Sequence, residues 1–387
     1  MTSLARHTDE PPAIDQPCAL LGGLTPRQFM RRHWQRKPLL IRQALPGFEP
    51  LLSRAQLFAL AGREEVESRL IVREPEGRWR LRHGPFTRTA LPPLKRPGWT
   101  LLVQGVDLHV EAAHRLMRRF RFVPDARLDD LMISWASEGG GVGPHYDSYD
   151  VFLLQAHGRR RWRIGRLKDP ALQDDVPLKI LRHFEPEQEW VLEPGDMLYL
   201  PPRWGHDGVA EGGECMTYSI GFRVPQRGGL AAELVQRMAD EHEDDALYRD
   251  PAQPATDAPA RLPEAMVDFA REGLARLVAD EGAVRLALGE IMTEPKPRVW
   301  FDPPERPWQP GALELDRRTR MLYDERHVYI NGEALRAAGR DARLMWALAD
   351  RRGLSAQAVR RASAAAQALL AHWHEAGWLH LKGESLD

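Results

Sequence analysis

Apolar and polar positions change rhythm along the chain, and each change predicts a different kind of structure. Up to Phe120, short helices and short strands alternate. Thr25-Pro26 sets a capping hydroxyl before a first-turn proline, and the helix they start carries Phe29, Met30 and Trp34. Lys37 to Arg42 reads as a strand, and Ser53 caps a helix through Leu60. Ser68–Glu74 and Arg78–His83 alternate apolar with charged residues around Pro75-Glu76-Gly77, the pattern of a hairpin. Thr100 to Val106 is a buried type of strand, and His109 to Phe120 spaces Leu116, Met117 and Phe120 as a helix does.

From Leu131 to Pro225 the rhythm is that of strands, at 131–137, 150–156, 160–165, 177–181, 189–193, 196–202 and 215–222, separated by glycine, proline and acidic turns. Many short strands without helices between them predict an antiparallel barrel or sandwich. Residues 226–292 then turn helical, with apolar spacing over Leu230–Met238 and from Met266 to Val278, on either side of the proline-rich linker Asp250–Pro259. Pro295 to Pro310, with six prolines, marks a boundary. Beyond it come strands over Leu322–Ile330, a helix over Ala342–Asp350, a longer one over Ala356–Glu375, and a strand over Gly377–Leu381, an order resembling a winged helix. The expected class is therefore α+β, divided into 1–225, 226–294 and 295–387. The middle helices are expected to pack on the barrel or between subunits, with a homodimer favoured. Asp341, Asp350 and Glu375 dilute any basic face on the last part, which favours protein contact or packing over DNA binding.

Composition narrows the setting. A content of 43% hydrophobic and 28% charged residues is ordinary for a soluble protein, and 387 residues suffice for more than one core. A formal net charge of -1 gives no overall attraction to nucleic acid, although the many arginines could form a local patch. Cys18 and Cys215 are the only cysteines, which argues against a disulfide scaffold or a cysteine zinc cluster and fits a reducing cytoplasm. The polar, acidic start reads as no secretory leader, and no window approaches the roughly 18 apolar residues of a membrane span.

The chemistry concentrates in Gly139–Arg161, GGGVGPHYDSYDVFLLQAHGRRR. His145 and Asp147, one residue apart on an extended backbone, project to the same side. Two imidazoles and one carboxylate on one face suit ferrous iron and leave positions open for a co-substrate and dioxygen. A second histidine is needed. His157 lies among arginines beside Gly158 and His183 ends a segment, contexts that favour solvent, whereas His206 follows the Glu193-Pro-Gly-Asp196 turn and the stiff Pro201-Pro202 pair. The triad expected is His145, Asp147 and His206. Zinc accepts the same ligand types, so the ligands alone leave iron and zinc open.

These residues carry a resemblance. The stretches LMISWASEGGGVGPHYDSYDVFLLQAHGRRRWRIG, LEPGDMLYLPPRWGHDG, MTYSIGFRVP and FMRRHWQRKPLLIR are similar to those of the cupin-like Jumonji-C (JmjC) oxygenases, and most of all to the bacterial ribosomal oxygenases. The resemblance runs the length of the chain and implies a double-stranded β-helix, a helical dimerisation region and a winged-helix-like tail. It implies Fe(II), 2-oxoglutarate and O2 as cofactor and co-substrates, and hydroxylation of an arginine side chain on a large-subunit ribosomal protein. His145, Asp147 and His206 fall on the iron ligands, and Arg160 on the residue that pairs with the distal carboxylate of 2-oxoglutarate, which a guanidinium can grip with two parallel bonds. Ser134 matches a hydroxyl donor to the same carboxylate. Thr217 is a candidate near the metal-binding end. Alternation sends Arg159 and Arg161 outward. Glu138, Tyr146, Tyr149, Asp150 and Trp204 lie close in sequence to the metal motifs, where an arginine substrate would call for acidic and aromatic neighbours. Three other readings stay open: hydroxylation of histidine or of another protein, a metal-stabilised scaffold without turnover, and another cupin enzyme such as a zinc-dependent isomerase.

Overall fold

The computed structural model describes residues 10–241 and 244–383, folded as two units, Met1–Val224 and Pro225–Asp387. In the first unit, α1 (Pro26–Arg32) and α2 (Arg54–Leu60) start at reciprocal caps: Thr25 and Ser53 accept from the backbone of Gln28 and Gln56, whose side chains accept in return. Between them runs β1 (Leu39–Ile41). The hairpin of β2 (Ser68–Arg73) and β3 (Trp79–His83) is followed by β4 (Trp99–Val103) and α3 (Glu111–Arg118). Then come β5 (Leu128–Ala136), β6 (His145–Tyr146), β7 (Val151–Arg166), β8 (Gln188–Leu192), β9 (Met197–Leu200) and β10 (Trp204–Phe222).

All ten strands form one antiparallel sheet in the order β1-β9-β7-β10-β5-β4-β2-β3, with β6 added to β10 and β8 to β7. This is the double-stranded β-helix, or jelly roll, that the resemblance implies. It is built around β7 and β10, which pair along nearly their whole lengths. Core residues separate accordingly: Phe152, Leu154 and Ala156 join the large cluster under α1 and α2, while Val151, Leu153, Trp162 and Ile164 join a smaller one with Leu192, Leu198 and Leu200.

Two local expectations are corrected. The segments 150–156 and 160–165 are one bent strand, β7. Residues 177–181 form no strand; Leu181 makes an isolated bridge to Leu172, because Ile180 and Leu181 are buried against Gly143 and Gly205 rather than in a ladder. The glycine run is held by backbone contacts: Gly139 donates to Ala210 O and Ala210 to Gly140 O, and a Cβ on Gly141 would stand 2.5 Å from Gly208 O. Glycine is there because two backbones touch.

The second unit begins with α4 (Arg227–Glu241), α5 (Glu264–Ala279) and α6 (Glu281–Thr293). It continues through β11 (Leu313–Leu315), β12 (Met321–Tyr323), β13 (His327–Ile330), β14 (Glu333–Arg336), α7 (Gly339–Arg351), β15 (Gly353–Leu354), α8 (Ala356–Arg360), α9 (Ala364–Glu375) and β16 (Leu379–Leu381). The strands make two small sheets, β15-β11-β16 and β12-β13-β14. Gly289 lets α6 lie on the second: a Cβ there would come within 2.3 Å of the Tyr329 ring. The single helix expected over Ala356–Glu375 is two, because Ser363 caps α9 and its hydroxyl also donates to Asp341 at 2.5 Å. Among the described residues no helix is long and apolar enough to cross a membrane.

Candidate metal centre

His145 and His206 reach one another because β6 pairs with the start of β10, Cα of one opposite Cα of the other. A turn at Pro201–Arg203 sends the chain into β10, so His206 is presented by a strand and not by a loop. That turn is tied to the triad: Arg203 N donates to Asp147 O at 2.7 Å, and Arg203 takes a positive φ of 63°. One ligand atom from each of His145, Asp147 and His206 lies within 4.8 Å of the others. The rings of the two histidines stand 4.2 Å apart, and His206 Nε2 lies 3.6 Å from Asp147 Oδ2.

Backbone contacts orient both imidazoles. His145 Nδ1 meets Gly143 O at 2.9 Å and His206 Nδ1 meets Trp204 O at 3.0 Å, so each Nδ1 carries its proton toward a carbonyl and each Nε2 is left as a lone-pair donor. Burial, reinforced by the facing His145, holds the His206 imidazole down to about 4, so that it is neutral at physiological pH. Two neutral nitrogens and a carboxylate fit a divalent first-row metal with open positions.

Arg160 lies on the same face as His206 because of register. Ile164 is opposite His206, Trp162 opposite Gly208 and Arg160 opposite Ala210. The Arg160 side chain is 2% exposed and stacks over Trp162 at 5.0 Å. Its Nη2 donates to Gly208 O at 3.0 Å and its Nη1 to Ser134 Oγ at 3.4 Å, while Nε is buried without a partner. An unneutralised guanidinium with an unused donor suits an anionic ligand. Gly208 makes the approach possible, since a Cβ there would be 2.6 Å from both Arg160 Nε and the Trp162 ring.

Ser134 sits at Arg160 while its hydroxyl donates to Thr217 O at 3.3 Å. Thr217 is placed differently from expectation. It lies opposite Ser134 and Gln155, and its hydroxyl donates to Gln155 Oε1 at 2.9 Å, so register puts it beside Ser134 and not beside the triad. Arg159 is exposed and Arg161 pairs with Glu189 at 2.5 Å and Glu211 at 2.9 Å, on the outer face.

Of the acidic and aromatic neighbours, Asp150 is fully buried and accepts from Tyr199 at 2.6 Å and Gln35 at 3.0 Å; it braces the core. Glu138 accepts from Gly213 N, and Glu214 pairs with Arg54, so both ends of Gly213-Glu214 are tied to neighbouring segments. Trp204 lies under Arg166. Tyr149 is 38% exposed, and burial of its hydroxyl end with the Asp147 and Asp130 carboxylates pushes that hydroxyl above its usual range. Three residues of the site, Trp162, Gly208 and Gln155, lie inside the stretches that carry the resemblance but were assigned no role from the sequence. A glycine interrupting a strand next to a histidine was the one available hint.

Comparison with known proteins agrees with this geometry. Residues 115–230 match the JmjC domain family and residues 276–380 the ROXA-like winged helix. The chain is 36% identical over 327 residues to the ribosomal protein uL16 3-hydroxylase of Escherichia coli, covering 81% of this chain and 86% of that one. A crystal structure of E. coli ycfD superposes with a TM-score of 0.81 at 33% identity, covering 92% of this chain and 98% of the other. The ribosomal oxygenase YcfD from E. coli in complex with cobalt and 2-oxoglutarate gives 0.78 at 34% identity, over 93% and 99%.

Proposed function

The chain belongs to the family of JmjC ribosomal oxygenases, and from that premise we propose that it hydroxylates an arginine side chain of the large-subunit ribosomal protein uL16 in the cytoplasm, using Fe(II), 2-oxoglutarate and O2. The observation that carries the reading is a three-ligand face whose His206 shares the β7–β10 pair with the buried Arg160, a guanidinium that no carboxylate meets among the described residues. A metal scaffold without turnover has no use for that arginine.

In this reading His145, Asp147 and His206 hold iron, with each imidazole fixed by the carbonyl at its Nδ1. Arg160 and Ser134 receive the distal carboxylate of 2-oxoglutarate. Trp162, stacked under Arg160 and 5.9 Å from His206, keeps that ion pair dry and so strong. When bound, iron and 2-oxoglutarate would supply the oxidising chemistry, 2-oxoglutarate being decarboxylated to succinate and carbon dioxide, with one oxygen atom of O2 in succinate and the other in the substrate's new hydroxyl. The protein's contribution is to hold both partners in place. Tyr149, exposed beside Asp147, is our candidate for contact with the substrate chain.

We assign the homodimer contact to the middle helices of 226–294. On α5, Met266, Phe269, Leu274 and Val278 are each between 39% and 56% exposed, an apolar face that a second copy would cover. Light scattering of the full chain reads this directly. The activity test is incubation of anaerobically iron-loaded protein with 2-oxoglutarate and a uL16 peptide before admitting oxygen. Addition of one oxygen to an arginine, with an equivalent of succinate, is expected; absence of both overturns the reading.

A further inference from the structure

The net charge of the whole chain hides a local excess. Residues 68–96, the β2–β3 hairpin and the segment after it, hold eight arginines and lysines against Glu74 and Glu76, a formal +6 in a protein of net -1. Glu74 pairs with Arg96 at 2.7 Å and Arg80 at 3.3 Å, and Glu76 pairs with Arg78 at 2.5 Å. Three exposed arginines meet aromatic rings and, among the described residues, no carboxylate: Arg73 over Trp79 and Arg82 over Phe86, each at 5.5 Å, and Arg88 over Phe58 at 5.6 Å; Arg82 also donates Nη1 to Ala90 O at 3.2 Å. Stacking holds a guanidinium in place without neutralising it, leaving its donor edge for a phosphate. β3 is an edge strand of the sheet, so the surface is open on one side.

This surface borders the metal centre. Trp79 packs on Gly143, where a Cβ would be 3.1 Å from the ring, and Gly143 O is the acceptor that orients His145. Its sign is the informative point. A protein that binds ribosomal RNA is itself cationic, so a rim of +6 repels it when it comes alone and tolerates it when it comes with its RNA.

We propose that the β2–β3 hairpin and residues 88–96 form an RNA-backbone-binding surface, by which the enzyme engages RNA lying beside its protein substrate. The link to substrate rests on the proposed function; binding to RNA does not. The test is fluorescence anisotropy of a short labelled RNA hairpin titrated with the full chain, without iron or 2-oxoglutarate. Affinity should fall with salt on a log–log slope of about −3 or steeper, as three or more phosphate contacts require. The variant R73Q/R82Q/R88Q should bind at least ~10-fold more weakly. It should keep its circular dichroism and its hydroxylation of free peptide. R271Q/R276Q, which changes exposed arginines on α5, should bind RNA as the parent does. Equal binding by parent and hairpin variant, equal loss in the α5 control, or no RNA binding at low salt would overturn the inference. Because peptide turnover is read separately, loss of turnover with RNA binding retained would count against the proposed function alone.

Discussion

Gln155 is the residue on which the inward direction of Arg160 depends. Val151 and Leu153 share a cluster with Trp162 and Ile164, so the face carried by odd positions before residue 155 is carried by even positions after it. Pure alternation cannot do this; an extra residue must intervene. It does so where Thr217 opposes Gln155 but the adjacent Met216 opposes His157, leaving Ala156 unpaired. The bulge is held by the Gln155 side chain, which donates to His157 O at 2.8 Å and Gly158 O at 3.2 Å and accepts from Thr217 Oγ1 at 2.9 Å. Gln155→Leu keeps the size and removes all three bonds. At about 1 kcal/mol net for each, the loss is ~3 kcal/mol. We expect most of it to appear as misplacement of Arg160: a KM for 2-oxoglutarate raised about thirtyfold, equivalent to ~2 kcal/mol. The rate at saturating 2-oxoglutarate and the affinity for cobalt, followed by its absorption spectrum, should change less than about threefold. A variant that melts earlier but keeps the parental KM would refute the reasoning, since Gln155 would then be structural only. Equal losses of metal and 2-oxoglutarate affinity would refute it too.

Three further outcomes follow from the same contacts. Arg160→Met should raise the 2-oxoglutarate requirement by at least ~100-fold, as loss of a buried charge pair implies, while anaerobic titration still finds one metal site. Gly208→Ala forces a methyl group against Arg160 and Trp162; overpacking of ~1–3 kcal/mol predicts a KM for 2-oxoglutarate raised about 10- to 100-fold, again with metal retained. In the second unit, bonds from His380 at 2.9 Å and Arg318 at 2.8 Å hold the buried Asp316 carboxyl well below its ordinary range despite burial. Its contribution is therefore complete above the unfolded carboxyl value of about 3.9 and lost as pH falls toward the lower folded value. Denaturation followed by circular dichroism from pH 7 to pH 3 should show this acid loss, and Asp316→Asn should flatten it.

What could be read from the amino-acid order was whatever depends on near neighbours. The capping boxes at Thr25 and Ser53 are complete within four residues, and His145 and Asp147 lie one residue apart at the end of β6, close enough in the chain for their ligand atoms to meet. Residues 177–181 misled because a strand and a buried plug have the same apolar run; only the surroundings, Gly143 and Gly205, decide that Ile180 and Leu181 fill space instead of extending a ladder. The break between α8 and α9 was equally hidden, since Ser363 is an ordinary helix residue until Asp341, a residue on another helix, accepts from its hydroxyl.

The site itself divides along the same line. Its ligands are residues whose type states their chemistry, so His206 could be chosen among candidates before its partner strand was known. The residues that aim Arg160 state nothing alone. Gln155 is a common polar residue and Gly208 a common small one, and each acquires its role from a register formed by segments some 50 residues apart. Thr217 shows the cost of ignoring register: a small polar residue on the correct strand was expected near the metal, yet pairing set it beside Ser134. Identity therefore predicts which groups do chemistry, and register decides where those groups point. Between His145 and Arg161 the two meet around Gln155, where the pairing of β7 with β10 shifts register twice before Arg160 comes to lie, buried, opposite Ala210.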